Sequence, residues 1–147
     1  MFTFVLAVIL VAASGPQADS QSTPLAFVEL LESSPRALVP TAKLTSLVGH
    51  RVTMIGYMAQ LETAPRGGFF LVPSPVDGDE SGGGTADLPP SAVFVIVPSA
   101  AGRSIDTVPG PVRVTGVLEL GPREDPDGLL TRIRLHLDRD AVVEVPR

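Results

Sequence analysis

No cysteine occurs in the 147 residues. Disulfides, thiolate metal sites, thiol catalysis and a lipidated cysteine are therefore excluded together. Tryptophan is also absent and aromatics make up 5% of the chain, so a core has to be built from Val, Leu, Ile and Phe. Lysine occurs once, as Lys43, against a background of arginine, a bias that reads as genome composition before phosphate recognition. No basic stripe accompanies it. The formal net charge is −5 and the charges are scattered, which favours solubility and disfavours a nucleic-acid partner. No G-x-S-x-G elbow, P-loop or dinucleotide fingerprint appears, and "SGGGT" lacks the lysine of a phosphate-binding loop.

What is present suits one small domain, with 44% apolar residues available for its core. The opening "MFTFVLAVILVAASGPQADS" is apolar from Phe2 to Ala13 and then turns small and polar. The run is shorter than the roughly 20 residues that span a bilayer. It fits a secretory signal with a cleavage site at Val11-Ala12-Ala13, and the mature chain is expected to start between Ser14 and Asp19. No Lys or Arg precedes the run, so a retained N-terminal anchor is the alternative. The expected organisation is a signal peptide or anchor over 1–18, a spacer and short helix over 19–43, and a β domain over 44–147 with a flexible loop at 74–91. The protein is expected to be exported, periplasmic or secreted, with no transmembrane span in its mature domain. Soluble native protein whose intact mass begins at Met1 would refute cleavage.

Thr23 as N-cap, Pro24 and "LAFVELLESS" predict the short helix, with Leu25, Val28 and Leu31 on one side. "TAKLTSL" predicts a further turn or two, stopped by Gly49. From there the period changes to two. "VTMIGYMAQL", "FFLV", "VFVIV", "VRVTGVLEL" and "LTRIRLHL" read as strands. No intervening segment holds a long amphipathic helix, so a parallel βαβ sheet is not expected. The last two strands flank "GPREDPDG" and predict an antiparallel hairpin. Pairing residue numbers that sum to 251 places Leu118 on Ile133 and Val114 on Leu137, with Glu119 on Arg132 and Arg113 on Asp138 outside. Gly56 and Gly116, in the middle of the longest strands, mark sharp bends or close backbone packing. The predicted fold class is mainly β: a small five-stranded, OB-like antiparallel barrel with a short N-terminal helix.

The stretches "LVGHRVTMIGYM", "GGFFLVP", "VFVIV" and "GPVRVTGVLEL…DGLLTRIRL" together resemble a family of small exported bacterial proteins of unknown function. Its frame is L-x-G-x-x-V-x-x-x-G-[YF], then F-x-L-x-P, a loop, an alternating Val-rich strand, and P-V-x-V-x-G-x-L. The match covers roughly residues 44 to 143. Similar frames occur in OB-type barrels, so the resemblance implies the same fold as the periodicity. Family members often carry loop cysteines beside a Pro-Pro pair. Here Pro89 and Pro90 remain, but "DGDESGGGTAD" stands where the thiols would be, so no thiol role carries over. An OB-type barrel usually has a helix between its third and fourth strands. "PSAAGRSIDTVPG" offers little more than a turn there, so the helix at 25–32 is expected to cover the barrel end.

Candidate chemistry is sparse. Asp77, Asp79, Ser81 and Gly82 fall at the spacing of a calcium loop, but Leu88 stands where its bidentate Glu belongs. Asp77 and Asp79 are thus a calcium candidate set against a solvated turn. His50 and His136 are the only histidines and have no metal-ligand spacing between them. No catalytic residue, metal or cofactor is expected. Tyr57 and Phe70 on one strand face, with Arg113, Arg132, Arg134 and His136 on another, are the candidate ligand-binding residues. The bland alternative is core aromatics beside surface arginines paired to acids. The function expected is a non-enzymatic binding or interaction module of the bacterial cell envelope, its partner an envelope protein or small ligand. An OB-type nucleic-acid binder is the alternative. Deleting Asp79 to Ala86 should leave the thermal midpoint within a few degrees, since glycine-rich loops contribute little packing.

Overall fold

The computed structural model describes residues 21–75, 85–138 and 143–146. The proposed signal over 1–18, the calcium candidates Asp77 and Asp79 and most of the glycine-rich loop lie outside the described residues. Eight strands and one α-helix are present among those described. β1 (Thr23–Pro24), β4 (Arg51–Met58), β5 (Gly68–Val72), β6 (Val93–Ile96), β7 (Pro111–Glu124) and β8 (Leu130–Leu137) form one sheet. Their order is β1-β4-β5-β6-β8-β7, and β7 also pairs back with β4. β2 (Leu31–Ser33) and β3 (Leu38–Pro40) make a separate hairpin, and α1 is Ala42–Ser46.

This architecture corrects the expected five-stranded antiparallel OB-like barrel with a short N-terminal helix. The sheet has six strands and is mixed, because β1 runs parallel to β4 and β6 parallel to β8. No helical crossover is needed for the second parallel pair, since β7 itself carries the chain back before β8 begins. β4 is shared: one edge pairs with β7 from Arg51 to Tyr57, and the other meets β1 at its start and β5 at its end.

The predicted N-terminal helix is absent. Thr23 and Pro24 lie extended beside Val52 and Thr53, and the Leu25 amide donates to the Thr53 carbonyl at 2.9 Å. A 3₁₀ turn over Phe27–Glu29 then leads into the β2–β3 hairpin. The buried residues explain it: Leu25 and Leu30 enter the core, whereas Val28 is 88% exposed. An α-helix would turn positions three apart to one side, not positions five apart. The second expected helix is present as α1, capped by the Thr41 hydroxyl accepting from the Leu44 amide at 3.1 Å. It delivers Leu44 to the core.

On the inner face, Val52, Met54, Val112, Val114, Leu118, Ile133, Leu135 and Leu137 alternate along β4, β7 and β8 and pack with Leu25, Leu30 and Leu44. Their outward neighbours on β7 are partly exposed. That alternation is what the period of two demands. The hairpin register differs from expectation by two residues. Pairs run from Gly116↔Leu137 through Leu118↔Leu135 to Leu120↔Ile133, then shift to Arg123↔Thr131. The strands continue through "GPRE", which the sequence assigns to the turn, because an irregularity at Gly121 (φ +129°) absorbs the change. A shift of two keeps every side chain on its face but changes its neighbour. Glu119 therefore faces Arg134, not Arg132, and Arg113 bridges to Glu144, not Asp138.

Gly116 marks a close strand approach. A Cβ there would lie 2.4 Å from the His136 carbonyl oxygen and 2.8 Å from its carbon. Both are backbone atoms of the paired strand and cannot rotate aside. Gly116→Ala should cost about 1–3 kcal/mol or more, as overpacking does. Urea unfolding measures this directly, and an unchanged midpoint would mean that β7 and β8 are not held so close.

Candidate functional site

The runs "FFLV" and "VFVI" are apolar at every position, so β5 and β6 present apolar side chains on both faces. The outer face carries a second apolar cluster of Ala59, Phe70, Val72 and Phe94. Tyr57, Leu61, Leu88, Ala92, Ile96 and Leu129 pack against it from strand ends and loops. Phe70 and Phe94 meet with ring centroids 5.0 Å apart at a tilt of 54°, a favourable edge-biased arrangement. Segments around 59–66, 85–92 and 125–129 thus roof the outer face of the sheet.

Arg134 lies under this roof with only 3% of its surface exposed. It belongs to β8, where it pairs in register with Phe94 of β6. Its Nη1 donates to the carbonyl oxygens of Gly121 (2.8 Å) and Thr131 (3.0 Å) and to Thr131 Oγ1 (3.0 Å). Its Nη2 donates to Glu119 Oε1 at 3.1 Å. Nε is buried and has no partner among the described residues. The other Glu119 oxygen contacts His136 Nε2, and Arg123 Nη1 stands 3.7 Å from it. A buried guanidinium needs this many acceptors, because desolvating an unmatched charge costs several kcal/mol.

Hydrogen bonds from Arg134 and then His136 hold the Glu119 carboxyl down at about 2, against 4.5 ordinarily. A depressed carboxylate stabilises the fold above its unfolded value and loses that contribution as pH falls toward the folded value. Wild type should therefore exceed Glu119→Gln in stability by its full margin just above pH 4.5, and the margin should close by about pH 2. Chemical denaturation at stepped pH checks it. A margin that stays constant through that window would show that Glu119 carries no special charge interaction.

Two adjoining clefts open through the roof. One, of about 490 Å³, lies between residues 61–66 and the turn 125–129. The other, of about 220 Å³, runs over Phe94, Ile96 and Arg134 toward Arg66 and Arg123. Arg66, Asp125 and Leu129 line both. The turn is firm: Asp125 Oδ1 accepts from the amides of Asp127 (3.0 Å) and Leu129 (2.8 Å).

Of the six residues singled out in the sequence, Phe70, Tyr57, Arg134 and His136 are found in or beside this outer layer. The other two stand apart: Arg132 is exposed, and Arg113 faces Glu144 at 3.7 Å. Phe70 and Phe94 are buried, so they offer no open faces for base stacking, and Arg134 is already committed. Nothing here supports nucleic-acid binding. Among the described residues, no three His, Cys, Asp or Glu side chains gather as metal ligands. Arg66, Arg123, Asp125 and Leu129, which frame the clefts, are absent from the sequence-based set. The signal for them was indirect: strands apolar on both faces imply a cover.

Fold and site together define a small, mainly β protein whose mixed sheet has one core within and a second apolar layer, beside the buried Arg134 and its partner Glu119, without. A DUF3299 family protein from Pseudomonas aeruginosa PAO1 has a similar fold. The two share 15% sequence identity, the likeness covers 86% of this chain and 98% of that one, and the TM-score is 0.53. No family model matches this chain, and no curated protein resembles it in sequence. No helix among the described residues is long and apolar enough to cross a membrane.

Proposed function

We propose that this protein is a non-enzymatic binding module of the bacterial cell envelope, exported by its N-terminal segment, and that it takes its ligand in the roofed clefts of the outer sheet face. One observation carries the reading: apolar side chains line two clefts of about 490 and 220 Å³ that adjoin on the surface, and the buried guanidinium of Arg134 lines the smaller. Concave, largely apolar sites with a few placed polar groups are the usual form of small-ligand pockets. An ordinary solvated sheet face has no need of a second apolar layer. The DUF3299 family protein of similar fold shares that fold alone and names no ligand.

A photocrosslinking side chain at Leu129, with Val28 as a remote exposed control, tests the reading in living cells. The Leu129 position should give discrete adducts that the Val28 position lacks. Identical adduct patterns at both would remove the cleft from consideration. Fractionation should find the protein outside the cytoplasm, and a purely cytoplasmic protein would remove the envelope role.

A further inference from the structure

The smaller cleft has a chemical polarity. Arg66 and Arg123 stand at its rim, both exposed, and Arg134 lies in its floor. Against these three cations the cleft itself holds one acid, Asp125, whose Oδ1 is engaged by the turn amides. Glu119, below, is shared among Arg134, His136 and Arg123. Three arginines against two carboxylates leave a positive excess, on a chain whose net charge is −5. Beyond Leu129 the larger cleft is the opposite, with Glu62, Asp125 and Asp127 against Arg66. Beside Arg134, the smaller cleft is walled by apolar side chains, Phe94, Ile96 and Leu129.

From this arrangement we infer that the smaller cleft binds a carboxylate borne on a short apolar group, the carboxylate between Arg66 and Arg123 and the hydrocarbon over Phe94 and Ile96. The inference rests on the binding reading above and names the ligand class. Paired arginines suit carboxylates because each offers a planar fork of donors. The acidic neighbouring cleft repels the same group, which fixes the direction of entry. A volume of about 220 Å³ admits a single side chain or a short acyl chain, not a nucleotide or a folded partner. Two sources share this chemistry: a free short- or medium-chain fatty acid, and the C-terminal residue of a peptide with an apolar side chain.

Titration of the purified protein by NMR distinguishes them. The probes are octanoate and a short peptide ending in free leucine, each beside its uncharged amide. Saturable shifts at Ile96 and Leu129 are expected with at least one carboxylate and not with its amide. The probe that binds more tightly identifies the source. Arg66→Gln and Arg123→Gln, both surface changes, should each weaken binding by about tenfold, as loss of a charge-assisted contact does. Failure of both carboxylates to bind, or equal binding of acid and amide, overturns the inference. Neither depends on how the arginine variants fold. Adducts at Leu129 in cells alongside such a failure would retain the binding site and discard only the ligand class.

Discussion

Arg134→Ala should destabilise the protein by about 3 kcal/mol, the low end of the range for breaking a buried ion pair from one side, because Arg134 is buried while the Glu119 side chain is 36% exposed. The substitution removes four hydrogen bonds. It takes a donor from the Gly121 and Thr131 carbonyls and leaves Glu119 with His136 and a distant Arg123. Arg132→Ala, two residues away on the same strand and exposed, should cost well under about 1 kcal/mol, as surface charges do. Paired urea unfolding of the two variants gives the ordering. Equal, small effects would mean that the roof over Arg134 opens readily and that its charge is hydrated. Arg134→Met refines the outcome. If Met is tolerated far better than Ala, packing and not the ion pair is what the site needs.

Leu118→Ala should cost about 2–5 kcal/mol, the sum of lost transfer energy and the cavity left behind. Leu118 is 1% exposed, faces Leu135 across the hairpin and belongs to the inner core. Its backbone also ties β7 to the segment before β4, with the Leu118 amide donating to His50 O at 3.1 Å and its carbonyl accepting from the Gly49 amide at 2.8 Å. The backbone is thus held where it is, and the core has little freedom to collapse into the space. An effect below 1 kcal/mol, measured by the same unfolding, would place Leu118 outside the cooperative core.

Much of the sheet was legible from hydrophobic alternation. β8 falls on the residues that alternation marks, and the other four long strands fall within a few residues of theirs. Three features were not legible, each for its own reason. Leu25, Val28 and Leu31 mimic a helical face, but the fold uses Leu25 and Leu30 and leaves Val28 in solvent, a choice set by tertiary contact with β4. The register of the hairpin turned on whether "GPRE" belongs to a turn or a strand. A shift of two leaves the pattern of faces unchanged, so alternation could not decide it. Arg134 sits between Arg132 and His136 in a sequence that reads as an outward face. Its burial comes from loops distant in the chain, which local periodicity does not report. The apolar outer positions Phe70 and Phe94 held the clue that this face is covered.

The order in which the strands pair bears on how the chain comes to be folded. β4 finds its longest partner only when β7 is present, as Arg51 pairs with Val117, and β6 stays unpaired on one edge until Arg134 arrives beside Phe94. A chain emerging from its N-terminus therefore cannot complete either sheet edge before nearly all of it has been released. Non-local pairing of this kind slows folding to the millisecond-to-second range and leaves apolar edges open to aggregation meanwhile. The export proposed above would find in such a chain no stable half-structure to block its passage. A stop at Glu124, which leaves out β8, should accordingly yield a chain that is protease-sensitive throughout rather than one with a protected N-terminal half.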